Sequence, residues 1–209
     1  MTRSLFYYLL MLIVLSSCSA SRITHSWKSP TATPKKFDKI MVVALINNND
    51  AALREEMENH LLGDLADKGY TAVSAYKEYG PKAFEGMKET DVLDKLQNSG
   101  VDAVLTVVLL DKERERYYVP ARVYYTPYVI YHRRFWLYYS TMRDRIYMDG
   151  YYQVNTNYFW ESNLYDLSAN KELLYSVQTT SFSPGSTSAL AHEYGKLIVG
   201  DMFKSGVIQ

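Results

Sequence analysis

The chain has 209 residues, and its 23 basic and 23 acidic side chains give a formal net charge of zero. A balanced charge argues against a protein that captures nucleic acid or an anionic surface mainly by electrostatic attraction. The single cysteine excludes a disulfide within one chain, and the length is enough for one sizeable domain.

The first eighteen residues have the pattern of a secretory signal. Arg3 precedes eleven apolar residues, Leu5 to Leu15, which are too few to cross a bilayer because a spanning helix needs about 20. The run ends in Leu15-Ser16-Ser17-Cys18, which resembles the lipobox of bacterial lipoproteins. In that family the cysteine thiol receives a diacylglyceryl group, the signal is cut off before the cysteine, and the new amino terminus is acylated. The alternatives are a buried free cysteine in a first helix and an ordinary signal with an incidental cysteine.

The lipobox resemblance implies residues 1–17 as a signal peptide and Cys18 as a lipidation site carrying diacylglycerol and an acyl chain such as palmitate. Three acyl chains, at roughly 0.8 kcal/mol per buried methylene, anchor far more firmly than one. Ser19 stands where inner-membrane lipoproteins tend to have aspartate, and no acidic run follows. The expected location is therefore the outer membrane, facing the periplasm. Residues 18–36, rich in Ser, Thr and Pro, are predicted to form the lipidated cysteine and a flexible tether.

The folded domain is predicted over residues 37–209, and its first half alternates strand and helix patterns. Residues 38–46 are apolar on both faces, which is typical of a strand covered on both sides. Asp50 can cap the helix that follows, whose apolar stripe consists of Leu53, Met57, Leu61 and Leu65. The next predicted elements are a C-capping Gly69, a strand at 70–76, a helix at 88–99 closed by Gly100, and an apolar strand at 101–111.

An insert at residues 117–150 is unusually rich in tyrosine. Of the 20 tyrosines in the chain, 13 lie between Tyr117 and Tyr165. Tyrosine combines a large apolar ring with a hydroxyl that can stay hydrated, which suits interfaces and glycan stacking. The residues predicted to form a partner surface are Tyr124, Tyr125, Tyr128, Tyr131 and Trp136. The alternatives are tyrosines packed back on the domain, a glycan site, and a membrane-inserting hairpin, against which the charged run 132–134 argues.

The last part of the chain has the pattern of a hairpin followed by a helix. Alternate residues from Tyr152 to Trp160 share one strand face, residues 168–171 form a turn, and a return strand with one hydrated face follows. A final helix ends at Gly206; its apolar residues are Leu190, Tyr194, Leu197 and Ile198. The predicted fold class is α/β (α+β), a mixed sheet in the order β-α-β-α-β, insert, β-β-α, with helices packed on the sheet.

This chain order, with "KIMVVAL", a long helix and "DKGYTAVSA", resembles the amino-terminal domain of TolB and related domains of envelope lipoproteins such as the curli secretion protein CsgG. Residues 161–186 are similar to the hairpin of a family of small Bacteroidetes-type lipoproteins, in which an acidic residue, "LYD" and a short turn recur. Leu174-Tyr175 departs from the aliphatic-Trp pair frequent in those relatives. The resemblance covers residues 38–112 and 150–207, implies the same fold, and offers no catalytic residues to carry over.

No residue pattern in the sequence predicts a catalytic reaction. The four histidines are scattered without the spacing of a zinc helix, and neither a phosphate-binding Gly-rich loop nor a Gly-x-Ser-x-Gly elbow is present. Asp111, Glu113 and Glu115 share one strand face, and carboxylates at this spacing could in principle act as an acid/base pair, but a strand that leaves the sheet into solvent explains them better. The sequence therefore predicts no enzyme, no cofactor and no metal.

The function predicted from the sequence is that of a non-enzymatic outer-membrane lipoprotein, a binding or assembly module in the bacterial cell envelope. Its expected partners are the membrane, through the lipid at Cys18, and an envelope protein or a second copy of the chain, with a glycan as a further alternative and no nucleic acid. The main rival is a subunit of an oligomeric secretion channel resembling CsgG. An envelope hydrolase is a more remote alternative.

Overall fold

The computed structural model of the protein describes residues 20–119, 151–168 and 172–209. The chain divides into two compact units. The main unit comprises Met1–Lys112 and Asn157–Gln209, and the tyrosine-rich unit comprises Glu113–Thr156. Of the tyrosine-rich unit, the structure describes residues 113–119 and 151–156.

Strands and helices alternate in the first half of the described chain, and a hairpin and a helix follow. The strands are β1 (Ser21–Lys28), β2 (Ile40–Leu45), β3 (Ala72–Ser74), β4 (Ala103–Val119), β5 (Tyr151–Asp166) and β6 (Glu172–Phe182). The helices are α1 (Ala51–Ala66), α2 (Ala75–Tyr79), α3 (Glu89–Asn98) and α4 (Thr187–Lys204), with a short 3-10 turn at Asn48–Asp50.

The strands form one mixed sheet in the order β1-β6-β5-β4-β2-β3. Strand β2 pairs in parallel with β3 and with β4, whereas β6 pairs antiparallel with β5 and with β1. The contacts between β4 and β5 also run in opposite directions, since Asp102 accepts from the Leu167 amide and Thr106 donates to the Asn163 carbonyl. The predicted mixed α/β sheet with helices packed on it is confirmed.

The two faces of the sheet are covered differently. Helices α1 and α4 pack on one face and bury the main core. This core contains the apolar stripe of α1, the apolar side of α4, and alternate residues of β2, β4, β5 and β6. A smaller cluster on the opposite face joins Leu96 of α3 to Met41, Val101 and Leu167. The described helices therefore cover the second face over β2, β3 and the start of β4 but not over β1, β5 and β6, the part that we call the open face.

Several of the predicted elements are confirmed nearly to the residue. All four stripe residues of α1 are buried, as are Leu190, Tyr194 and Ile198 of α4. The predicted capping glycines Gly69, Gly100 and Gly206 have positive φ angles of 82°, 73° and 67°. Glycine is favoured there because it has no Cβ to clash in this left-handed conformation.

The prediction of a flexible tether is wrong for residues 21–28, which form β1 at the edge of the sheet. Its polar side chains lack an apolar period, but its backbone pairs with β6 from Ser21↔Ser181 to Lys28↔Tyr175. Side chains add to the pairing: the Ser21 and Ser181 hydroxyls are 2.7 Å apart, and Lys28 donates to the carbonyls at the end of α4. An edge strand can be specified by its neighbour rather than by its own pattern.

The second predicted strand, residues 70–76, is shorter than expected. Strand β3 ends at Ser74, whose side chain accepts a hydrogen bond from the Lys77 amide and so caps α2. Serine is a favourable N-cap because its oxygen satisfies an amide that the first turn leaves unpaired. Among the described residues, no helix has the length and apolar character needed to cross a bilayer.

Candidate functional site

The site residues predicted from the sequence lie outside the described residues. They are the lipidation site Cys18 and the partner-surface residues Tyr124, Tyr125, Tyr128, Tyr131 and Trp136. The structure does describe the two strand ends that flank the tyrosine-rich insert, and it describes residues 20–112, 157–168 and 172–209 of the main unit. Candidate surfaces and polar clusters can therefore be built from these parts.

In the tyrosine-rich unit, the described strand ends present exposed aromatic side chains. Tyr118 and Tyr152 are 53% and 58% exposed, and their ring centroids are 5.3 Å apart in an edge-to-face arrangement. The guanidinium of Arg116 lies 4.1 Å from the Tyr152 ring centroid. Tyr117 and Tyr151 are also exposed. Cross-strand aromatic pairs stabilise a sheet, but this pair keeps more than half of its surface in water.

In the main unit, the face of the sheet opposite the main core carries exposed apolar residues that we call the open-face patch. It consists of Leu45, Leu110 and Phe182, each between 43% and 55% exposed, together with Arg22, whose guanidinium lies 4.9 Å from the Phe182 ring centroid. Leu45 is the last residue of β2 and pairs with Val108, and Phe182 is the last residue of β6 and pairs with Asn157, whereas Leu110 lies within β4, which continues to Val119. Each has the strand parity opposite to that of the core-facing residues, so all three lie on the face of the sheet opposite the main core.

A cleft of about 570 Å³ lies beside the carboxyl end of β2, at the position where open α/β sheets often bind ligands. Its buried Glu58 accepts hydrogen bonds from the Ala44 and Tyr76 amides, both at 2.9 Å, and from the Ser74 hydroxyl. The Arg54 guanidinium donates to the carbonyls of Ile46 and Pro81. These hydrogen bonds hold the surrounding loops together, and among the described residues the buried Arg54 Nε has no hydrogen-bond partner.

A polar seam runs between helices α1 and α4. Gly195 lets the Asp64 carboxylate approach the α4 backbone, since a Cβ at position 195 would lie 2.2 Å from Asp64 Oδ2. Burial raises the pKa of Asp64, although His192, His60 and Lys196 oppose that effect. The rings of His60 and His192 are 5.5 Å apart, and Glu56 lies 3.6 Å from His60. Among the described residues, no group of His, Cys, Asp and Glu is arranged to hold a metal ion.

Two buried tyrosines, Tyr175 of β6 and Tyr194 of α4, have hydrogen-bond partners for their hydroxyl groups. Tyr175 donates to Asp201 at 2.5 Å, and the Tyr194 hydroxyl lies 2.8 Å from that of Ser162. Burial raises the pKa of Tyr175, and the hydrogen bond to Asp201 raises it further. Burial likewise raises the pKa of Tyr194. Both phenols stay neutral and act as structural groups, in contrast to the exposed tyrosines of the tyrosine-rich unit.

No family model and no curated protein matches the chain. Among solved structures, it is similar to the PelC dodecamer from Paraburkholderia phytofirmans, with 14% identity over 90% of this chain and 99% of that chain and a TM-score of 0.45. It is also similar to the hypothetical protein CT253 from Chlamydia trachomatis, with 12% identity over 83% of this chain and 98% of that chain and a TM-score of 0.41.

Proposed function

We propose that the chain is a non-enzymatic outer-membrane lipoprotein, anchored through Cys18, that serves as a binding or assembly module in the bacterial envelope. The anchor rests on the apolar run and the Leu15-Ser16-Ser17-Cys18 sequence. The binding role rests on one structural observation, the exposure of the tyrosines at the described ends of the tyrosine-rich unit. The two parts of the proposal are independent, and each has its own test.

The exposed tyrosines favour a partner surface over internal packing. Tyrosines folded back on a domain would be at least half covered, but Tyr118, Tyr151 and Tyr152 are each more than half exposed. Clusters of exposed aromatic side chains are uncommon on soluble monomers and mark interaction sites when they occur. Aromatic residues also supply a disproportionate share of the binding free energy at protein interfaces.

The anchor is tested by changing the one residue that can accept the lipid. Cys18→Ser removes the only thiol of the chain, so the variant should lose incorporation of an alkyne-labelled palmitate and should leave the membrane fraction. The wild-type protein expressed at the same level is the control. Undiminished labelling of the serine variant would overturn the lipoprotein assignment.

The binding role is tested by photo-crosslinking in cells that express the full chain. A photoreactive amino acid at Tyr152 should give adducts of defined mass, whereas the same residue at Lys82, an exposed position of the main unit, is the matched control. Mass spectrometry of the adducts distinguishes an envelope protein from a second copy of the chain. Equal or absent crosslinking at both positions would contradict the partner surface.

Self-association is the second partner class that we propose, and it is measured separately. Light scattering on the protein lacking residues 1–18 gives the molar mass in solution. A single monomer mass would leave an envelope protein as the expected partner of the tyrosine-rich unit. A mass of many subunits would favour the alternative function, a subunit of an oligomeric secretion channel.

A further inference from the structure

The cleft at the carboxyl end of β2 lies where the chain leaves two neighbouring parallel strands toward opposite faces of the sheet. From β2 the chain enters α1 on the face of the main core, whereas from β3 it enters α2 and α3 on the other face. A crevice remains between the two strand ends, and open α/β sheets commonly bind ligands in such a crevice. The cleft is lined from both sides of it, by residues 43–47 at the end of β2 and by Ala75 and Tyr76 directly after β3.

Arg54 is the buried cation of this cleft. It is the fourth residue of α1, it lines the cleft, and it is 8% exposed. Its Nη atoms donate to three neutral acceptors, the carbonyls of Ile46 and Pro81 and the side chain of Asn48. Within the described chain, these bonds leave the Nε–H and one Nη1–H unused, and no carboxylate lies within ion-pair distance of the guanidinium. A buried charge and a buried donor are both costly without a partner.

The buried Glu58, one helical turn further along α1, does not act as that partner. Its carboxylate accepts from the Ala44 and Tyr76 amides and from the Ser74 hydroxyl. These three bonds hold it at the strand ends, beyond ion-pair distance of Arg54. A fixed carboxylate in the cleft repels other negative charges, and it repels two charges more strongly than one. The cleft therefore favours a ligand with a single negative charge over a phosphate with two.

The rest of the cleft wall is largely apolar. Leu45 is 55% exposed, and Ala83 and Phe84 are half-buried. The two exposed charges of the wall, Lys82 and Glu85, pair with each other at 3.2 Å. The volume of about 570 Å³ lies within the range of small-molecule sites, which is about 300–1,000 Å³. These walls suit an apolar group attached to the anion.

We propose that this cleft binds a small carboxylic acid with an apolar body. The carboxylate accepts from the unused N–H groups of Arg54, and the apolar body lies against Leu45 and Phe84. The ligand thus supplies both the negative charge and the acceptor that the guanidinium lacks. The site lies within the main unit, and it depends neither on the lipid at Cys18 nor on the tyrosine-rich unit.

The cleft has one wall segment that can make room for the carboxylate. Because Arg54 Nε is covered in this structure, binding displaces part of the wall. Residues 81–85 line the cleft and stand between Gly80 and Gly86, whose φ angles are 78° and 75°. Glycine gives the backbone conformational freedom at both ends of this segment. The Pro81 carbonyl accepts from Arg54 at 3.1 Å, and a carboxylate in its place would make a stronger, charge-assisted bond.

Binding is tested on the full-length protein with para-fluorophenylpropionate, and the neutral amide of the same acid is the matched ligand control. Fluorine NMR should show line broadening of the acid, and the amide should bind at least tenfold more weakly because it lacks the charge. In protein with isotope-labelled arginine, the acid should also shift the Arg54 Nε–H signal. That signal is identified by its absence from the Arg54→Gln variant.

Three variants locate the site. Arg54→Gln should weaken binding of the acid by about tenfold or more, as expected for the loss of a hydrogen bond between charged groups. Leu45→Glu should also weaken it, because it adds a second carboxylate to the wall at an exposed position that does not affect folding. Phe203→Glu is the matched control, since Phe203 is 46% exposed on α4 beside Lys68, which follows the opposite end of α1. It should leave the affinity unchanged within about twofold.

Thermal melts of each variant establish that it is folded, and Leu45→Glu decides the test if Arg54→Gln does not fold. The proposal would be overturned by equal affinities for the acid and the amide, by unchanged binding to Leu45→Glu, or by an equal loss in Phe203→Glu. Absence of broadening by the wild type at millimolar acid would also overturn it, and so would displacement of the acid by inorganic phosphate. Failure of lipidation at Cys18 refutes the proposed anchor and leaves these results unaffected.

Discussion

The two faces of the sheet are built from alternate residues of the same strands, yet they have opposite character where β5 and β6 pair. On the helix-covered face, Trp160, Tyr175 and Val177 are fully buried beneath α1 and α4. On the open face, Gln178 donates to Glu161 and lies in water. Alternation with a period of two residues decides which side chain enters which environment. The covered face provides stability, and side chains of the other face contact water in the part of the chain that the structure describes.

The largest effect is expected from placing a charge on the two faces of β4 in turn. Leu105 is fully buried in the main core, so Leu105→Asp should prevent cooperative folding, since an unpaired carboxylate there costs several kcal/mol. Total domain stability is only about 5–15 kcal/mol. Leu110→Asp, on the open face of the same strand, should change stability by about 0.5 kcal/mol or less. Thermal melts that are alike for the two variants would contradict the assignment of faces.

A second comparison uses neighbouring aromatic residues of β5. Trp160 is fully buried between Tyr158 and Tyr194, whose ring centroids lie 6.0 Å and 5.3 Å away. Trp160→Ala should lower the free energy of unfolding by about 3–5 kcal/mol because it leaves a cavity. Phe159→Ala, on the half-buried opposite side, should cost about 1 kcal/mol. Urea titrations give both values, and a larger loss for Phe159→Ala would mean that the open face is covered.

The next effect concerns the ion pair that fixes the segment after β1. Lys35 Nζ lies 2.5 Å from the buried Asp166 carboxylate. Burial opposes ionisation of Asp166, but hydrogen bonds from Lys35 and Ser168 outweigh it and hold the pKa below its ordinary value. Asp166→Asn should therefore cost about 1–3 kcal/mol at neutral pH. Glu85→Gln, which breaks the exposed pair with Lys82, is the control and should cost less than about 1 kcal/mol.

The stability lost in Asp166→Asn should depend on pH, because the pKa of Asp166 is lower in the folded protein. A carboxyl group whose pKa is lower in the folded protein stabilises it above the unfolded pKa of about 3.9, and that stabilisation disappears as the pH falls through the folded pKa. The difference in stability between wild type and Asp166→Asn should thus be constant near neutrality and should close in acid. A difference that persists unchanged at the lowest pH would show that the amide is disfavoured for another reason.

The smallest expected effect on stability is a gain, not a loss, and it concerns Asp64 in the polar seam between α1 and α4. Burial raises the pKa of Asp64, so its ionised form destabilises the fold above the folded pKa, and this penalty is absent below the unfolded pKa of about 3.9. Asp64→Asn should raise stability at neutral pH by less than about 1 kcal/mol, because the carboxyl group is partly solvated. Melts at neutral and acid pH check this, and destabilisation at neutral pH would indicate a structural role for the charge.

The sequence by itself determined the elements whose residues carry a strong period or a special backbone requirement. The four-residue spacing from Leu53 to Leu65 specified α1 and its buried side, because one apolar stripe can be buried in only one way. The apolar run from Val101 specified a central strand, and the glycines after α1, α3 and α4 marked their ends. The alternation along β5 and β6 predicted a hairpin with one hydrated face. These features depend on local periodicity, which a single sequence contains.

Only the tertiary structure decided where weakly patterned segments go. Residues 21–28 resemble a linker in composition and became a strand because β6 offered backbone partners on both sides of a single irregularity at Thr24. The approach of Asp64 to Gly195 also joins residues far apart in the chain. Such contacts depend on how the elements pack, and no local pattern encodes that packing.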